Sequence, residues 1–215
     1  MFREMDRWRG GTIVSASAYN LVIGGITLYG LIMNAVICYC FQDYFLNLDF
    51  LKVFIGYVVS CFAGIFIVNK ANSPVVAFIG YNLIVLPVGM LVSIIVASFS
   101  TTVVFKAVLA TALVTMLMII ISSIYPEIFY GLGKTLFLGL LLSIVVEFMM
   151  IFFGIETGLL DWIVAMIFCG YIGYDWARAN RKEMTMINAV SSAAEIYLDI
   201  INLFIRILNI LGKKK

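Results

Sequence analysis

Six long apolar runs, at residues 20–40, 50–68, 75–99, 103–124, 134–153 and 159–177, set the rhythm of the chain. Each is close to the roughly 20 apolar residues that a helix needs to cross the hydrocarbon core of a bilayer. Polar and turn-forming residues separate them. Asp43, Asn47 and Asp49 follow the first run, and residues 69–74 and 98–102 the second and third. Pro126 with Gly131 and Gly133 marks the fourth break, and residues 154–158 the fifth. Pro87 and Gly89 interrupt the third run and allow a kink there. No connection is long enough for a soluble domain and no internal repeat is present, so residues 1–215 read as one polytopic membrane domain.

The seventh segment, 187–211, has a different pattern. Its polar residues are Asn188, Ser192, Glu195, Asp199, Asn202, Arg206 and Asn209, in steps of four, three, four, three, four and three. That spacing is one face of an α-helix, held for about six turns. The remaining faces are Ile, Leu, Val, Phe, Tyr and Ala. Lipid cannot satisfy Glu195, Asp199 or Arg206, so the stripe must face protein or water, or lie along the membrane surface.

Composition agrees with the pattern. Hydrophobic residues make up 64% of the 215, charged residues only 12%, and the mean hydropathy is +1.11. A soluble domain carries roughly a quarter charged residues, so the chain reads as an all-α integral membrane protein whose solvent is the lipid bilayer. The net charge is +2 and no basic run is interleaved with aromatics, which leaves no nucleic-acid partner. Histidine is absent, which removes imidazole bases, Ser-His-Asp triads and His-ligated zinc together. Cys38, Cys40, Cys61 and Cys169 lie in or at the ends of apolar runs without C-x-x-C spacing and read as small buried hydrophobes. No nucleophile–base set and no phosphate-binding glycine motif stands out, so no catalytic residue, cofactor or enzyme activity is expected. The first apolar run is too long for a signal-peptide core, and neither end carries a lipidation motif.

Basic residues set the orientation. With the N-terminus in the cytoplasm, the inside receives Arg3, Arg7, Arg9, Lys70, Lys134, Arg178, Arg181 and Lys182, while the outside receives Lys52 and Lys106. Eight against two favours that arrangement. The side of Lys213, Lys214 and Lys215 depends on whether the seventh segment spans fully, and it stays open.

Charges at membrane depth cost several kcal/mol and mark candidate functional positions. Asp199 sits mid-helix with apolar flanks, so end-capping does not explain it. Glu195 lies one turn earlier on the same face; two carboxylates there repel, which calls for a raised pKa or a nearby cation. Arg206, two turns after Asp199, is long enough to snorkel to an interface. Asp175, in the sequence Tyr174-Asp175-Trp176, is read from the residues alone as interfacial, beside Arg178, Arg181 and Lys182. Glu147 lies in the fifth run without a local partner, either as a protonated bundle staple or at a cavity. Lys70 ends the second run, where snorkelling is its default role.

The string Leu198-Asp199-Ile200-Ile201-Asn202-Leu203-Phe204 resembles the L-D-x-x-N-L-F signature of the Bax inhibitor-1 (transmembrane Bax-inhibitor-motif) family. Tyr174-Asp175, 24 residues before Asp199, fits the aspartate that this family carries near the end of its sixth helix. The resemblance covers nearly the whole chain, and its specific part is the last forty residues. It implies a seven-helix bundle with the last helix central. It further implies, by likeness to bacterial members, a pH-sensitive calcium leak channel; the absence of organelle signals and the compact loops point to a bacterial plasma membrane. In that picture Asp175 and Asp199 share a proton, bind the permeant calcium ion and hold the path shut, which moves Asp175 from the interface to the interior. Lys70 matches the basic residue that the family places in its second helix. It departs from the expected arginine and lacks the bidentate fork. The glutamate often found in that helix is also missing, since 50–68 contains no acid; Glu147 or Glu195 then stands in for it. Asn202 and Arg206 complete the gating set expected on the striped face.

Two other readings compete. An interaction protein without transport of its own would regulate a membrane protease or stress and cell-death machinery, with residues 1–10 and the lysine-rich tail as handles. A secondary transporter or intramembrane enzyme is the third reading. The lack of repeats argues against the transporter, and Tyr174-Asp175-Trp176 lacks the glycine-flanked aspartate of an intramembrane aspartyl protease.

Overall fold

The structure, a computed structural model, describes residues 12–155 and 158–212, apart from the side chain of Phe50. Arg3, Arg7 and Arg9, the proposed handle at residues 1–10, Glu156, and Lys213, Lys214 and Lys215 lie outside the described residues. Eight helices make up the described chain: α1 (Ala16–Leu46), α2 (Phe50–Lys70), α3 (Pro74–Ala97), α4 (Thr101–Ile124), α5 (Pro126–Gly131), α6 (Gly133–Phe152), α7 (Gly158–Ala179) and α8 (Met186–Leu211). Six of them, all but α5 and α8, are long and apolar enough to cross a membrane. The chain is an all-α integral membrane protein, as the apolar runs predict.

Local chemistry explains most of the boundaries. Ser15 caps α1 by accepting from the Ala18 amide at 3.3 Å, and Asp49 caps α2 by accepting from Leu51 and Lys52. Ser100 caps α4 in the same way through Val103. Pro74 opens α3, where its missing N–H costs nothing, and α3 runs on through Pro87. Two expectations need correction. The first segment continues past Asp43 to Leu46, because apolar residues keep the helix going and Asn47 folds its amide back onto the Asp43 carbonyl at 2.7 Å. The break around Pro126 contains a further helix, α5, whose proline sits in the first turn.

The chain divides into two compact units: Met1–Ala97 with Ala179–Tyr197, and Ser98–Arg178 with Leu198–Lys215. α8 contributes a half to each. In the first unit α2 and α3 approach through glycine: a Cβ on Gly64 would stand 2.7 Å from the Gly80 carbonyl oxygen. Tyr81 is fully buried, donates to the Ile26 carbonyl at 2.9 Å and sets its ring edge-on to Tyr197 at 5.6 Å. Asn34 of α1 donates to the Tyr197 hydroxyl at 2.8 Å, and Tyr19 donates to the Ala179 carbonyl at 3.1 Å. Ile13 pairs with Thr185 in an isolated antiparallel bridge, with the Val14 amide on the Met184 carbonyl at 2.9 Å.

In the second unit the Ser122 hydroxyl donates to the Gly173 carbonyl at 2.6 Å and the Trp176 indole to Ser123 at 2.8 Å, fixing α4 to α7. Phe129 of α5 packs where Gly173 has no side chain. The less exposed face of α6 reads Leu136, Gly139, Leu140, Ser143, Glu147 and Met150, at helical spacing. Its outward residues include Phe137, Leu141, Ile144, Phe148 and Phe152, all exposed and all apolar, which is the surface that a bilayer solvates. α8 is the opposite case. Ser192, Ala193, Ile196, Tyr197, Asp199, Ile200, Leu203 and Leu208 are all buried.

Candidate functional site

Asp175 lies one turn before the end of α7, and Asp199 opens the second half of α8. Each is only 7% exposed. The interfacial reading of Asp175 therefore gives way to a buried one. Arg178, one turn further along α7, brings Nη1 to 3.8 Å from Asp175 Oδ1, with its own side chain 39% exposed. One turn earlier stands Tyr171, whose hydroxyl is within electrostatic reach of both Asp175 and Asp199. Aromatic packing steadies that stretch: Tyr171 touches Phe168 and Tyr174, and Tyr174 stacks on Tyr130 of α5 at 6.3 Å. The short helix that punctuation residues concealed is therefore part of the support of the site.

A second polar group lies further along α8. Arg206 donates from Nη1 and Nη2 to the two oxygens of Glu147 at 2.8 and 2.7 Å, and from Nη1 to Asp161 Oδ1 at 2.8 Å. Asn209 adds a longer bond to the same Asp161 oxygen at 3.4 Å. Glu147 is consequently not unpartnered, and Arg206 turns inward rather than snorkelling to an interface. The fork is a bidentate, charge-assisted contact. Asp161, 5% exposed, is absent from the residues that the sequence singles out, because an acid in the first turn of a helix looks like an end-cap. The available signal was its spacing: Asp161, Phe168 and Asp175 recur every seven residues and share one face of α7.

In the first unit the cation called for beside Glu195 is Lys182, whose ammonium donates to Glu195 Oε2 at 2.8 Å and to Ser192 at 3.2 Å. Asn202 donates to the Leu198 carbonyl of its own helix at 2.8 Å. Lys70 is an exposed residue of the last turn of α2, with its ammonium 5.2 Å from the centre of the Phe66 ring. Among the described residues, no three His, Cys, Asp or Glu side chains gather into a metal-binding group.

Six apolar spans, with a last helix that buries carboxylate and hydroxyl groups, define a polytopic α-helical membrane protein. The sequence profile of the family described as "Inhibitor of apoptosis-promoting Bax1" matches residues 13–215, and the chain belongs to this Bax inhibitor-1 family. Among similar proteins is an uncharacterized membrane protein of Streptococcus pyogenes serotype M3, 31% identical over 135 residues, or 58% of each chain. Two Arabidopsis thaliana proteins also match. The BI1-like protein is 36% identical over 86 residues, 39% of this chain and 33% of that one. Protein LIFEGUARD 4 is 32% identical over 115 residues, 49% and 46%. The matched stretches thus span less than two thirds of these relatives.

Proposed function

We propose that the protein is a pH-sensitive calcium leak channel of a bacterial plasma membrane, with its N-terminus cytoplasmic and with Asp175 and Asp199 as the gate. The observation that carries this reading is the burial of both carboxylates within reach of the same Tyr171 hydroxyl. Two carboxylates held close in a low-dielectric site cannot both ionise cheaply. As pH rises the pair passes from one negative charge to two. Repulsion then loosens α7 from α8, and a hard divalent cation is attracted to the carboxylate oxygens. Protonation reverses both effects. Arg178 at 3.8 Å damps the repulsion, and its exposure limits that damping. The cation would complete its coordination with water or backbone oxygens.

The test is calcium flux into proteoliposomes at a series of pH values from about 6 to about 8, either side of neutrality. The expected result is flux that rises with pH in the wild type. Asp175→Asn and Asp199→Asn each flatten that dependence. Flux no greater than in empty liposomes at every pH would remove the channel reading.

The second reading is an interaction protein that regulates a membrane protease or stress and cell-death machinery without carrying ions. The family's description, which names inhibition of another protein, favours it. It predicts a physiological effect that survives both asparagine substitutions.

A further inference from the structure

We propose that the Asp161–Arg206 ion pair is the positioning contact that holds Asp175 and Asp199 opposite one another. The inference rests on reading those two aspartates as the working pair, and it assigns a role to residues outside that pair. α7 carries Asp161 near its start and Asp175 near its end. The second half of α8 carries Asp199 first and Arg206 two turns later. Asp161 meets Arg206 and Asn209, while Asp199 shares Tyr171 with Asp175. The order is reversed on the two helices across the short connection 180–185, so they run antiparallel here, with the Asp161–Arg206 bond at one place and the two aspartates within electrostatic reach of Tyr171 at the other. Setting one contact constrains the other.

Directionality is the physical reason. Apolar contacts between membrane helices are weakly specific, because lipid tails are as good a partner as leucine. They resist sliding of α8 along α7 only poorly. A charge-assisted bond of 2.8 Å in a low-dielectric interior is short, strong and directional. Glu147 contributes differently. Its two oxygens take both arms of the guanidinium, at 2.8 and 2.7 Å, and tie α8 to α6. Because the guanidinium is planar, that fork also aims the remaining Nη1 proton at Asp161. Glu147 thus supplies more bonds, whereas Asp161 supplies the tie to the helix that bears Asp175.

This division can be tested because stability and position should separate. Asp161→Leu and Glu147→Met each leave Arg206 one carboxylate and each remove one charge. Glu147→Met removes two short bonds to Arg206, Asp161→Leu one short bond to Arg206 and the longer one to Asn209, so both should lower the melting temperature. Position is read by disulfide formation in an Asp175→Cys/Asp199→Cys protein whose four native cysteines are alanine. The expected result is that Asp161→Leu slows cross-linking about tenfold, the change that a shift of about 1.4 kcal/mol produces, while Glu147→Met leaves it within about twofold. Cross-linking unchanged by Asp161→Leu, or slowed equally by both, overturns the proposal.

Should the double-cysteine protein fail to fold, amide exchange in the chain with both aspartates intact replaces it. Protection of residues 198–204 should fall with Asp161→Leu and not with Glu147→Met, and equal protection overturns the proposal. Both readouts are taken without calcium. Loss of register in a protein that never passes calcium would support the contact and sink the leak reading. Pronounced flux with register unchanged would do the reverse.

Discussion

At Arg206 one guanidinium answers two carboxylates in the interior of a membrane protein, and its removal takes the short charge-assisted bonds from both. Arg206→Gln should therefore destabilise the protein by about 3–5 kcal/mol, measured by thermal unfolding in detergent. Replacing Glu147, Asp161 and Arg206 together by apolar residues of similar volume should recover most of that loss, since no member of that cluster is then left buried without its ionic partner. Lys182→Gln is milder. Glu195 keeps a quarter of its side-chain surface exposed, and losing its partner should cost about 1–3 kcal/mol. The sequence made Glu147, Arg206, Glu195 and Asp199 visible as charges where lipid is expected. It did not reveal their partners. Glu147 and Arg206 lie 59 residues apart, and helical periodicity reports which face a residue occupies, not which helix that face meets. Asp175 shows the same limit: the basic residues after it suggest an interface, the family resemblance alone moves it inside, and the structure leaves it 7% exposed.

Helices were the most legible level, because a run of apolar residues long enough to cross a bilayer has few alternatives to helix. The errors fell where punctuation residues have two uses. Pro126 suggested a loop, yet proline suits the first turn of a helix as well, and α5 begins there. Glycine is equally ambiguous until packing is known. Gly64→Ala should cost about 1–3 kcal/mol through overpacking, because the new methyl group would meet backbone at 2.7 Å and force α2 from α3. Gly24→Ala on α1 meets nothing within 4 Å and should gain up to about 1 kcal/mol from helix propensity. Thermal melts of the two variants in one detergent distinguish a packing glycine from a tolerated one.

For the molecule as a whole, the outward surfaces of α2, α4 and α6 are as apolar as the interior, so hydrophobicity alone does not tell inside from outside. Burial does. Leu136→Ala, at an inward position 9% exposed, should cost about 2–5 kcal/mol, whereas Leu141→Ala, 49% exposed on the same helix, should cost well under 1 kcal/mol. Equal losses would mean that the face of α6 read as lipid-facing is covered by protein. The division of the chain also governs its assembly in time. The first unit takes residues 179–197 as well as 1–97, so the ribosome completes all of α4 to α7 before α1, α2 and α3 can meet their last partner. Throughout that interval the Asn34 amide has no Tyr197 hydroxyl to reach and Ile13 has no Thr185 to pair with. The nascent chain must hold polar groups in the bilayer on credit from other donors and acceptors. A nascent chain halted before α8 is therefore the form most exposed to membrane quality control, and the arrival of the last helix both completes the fold and ends that exposure.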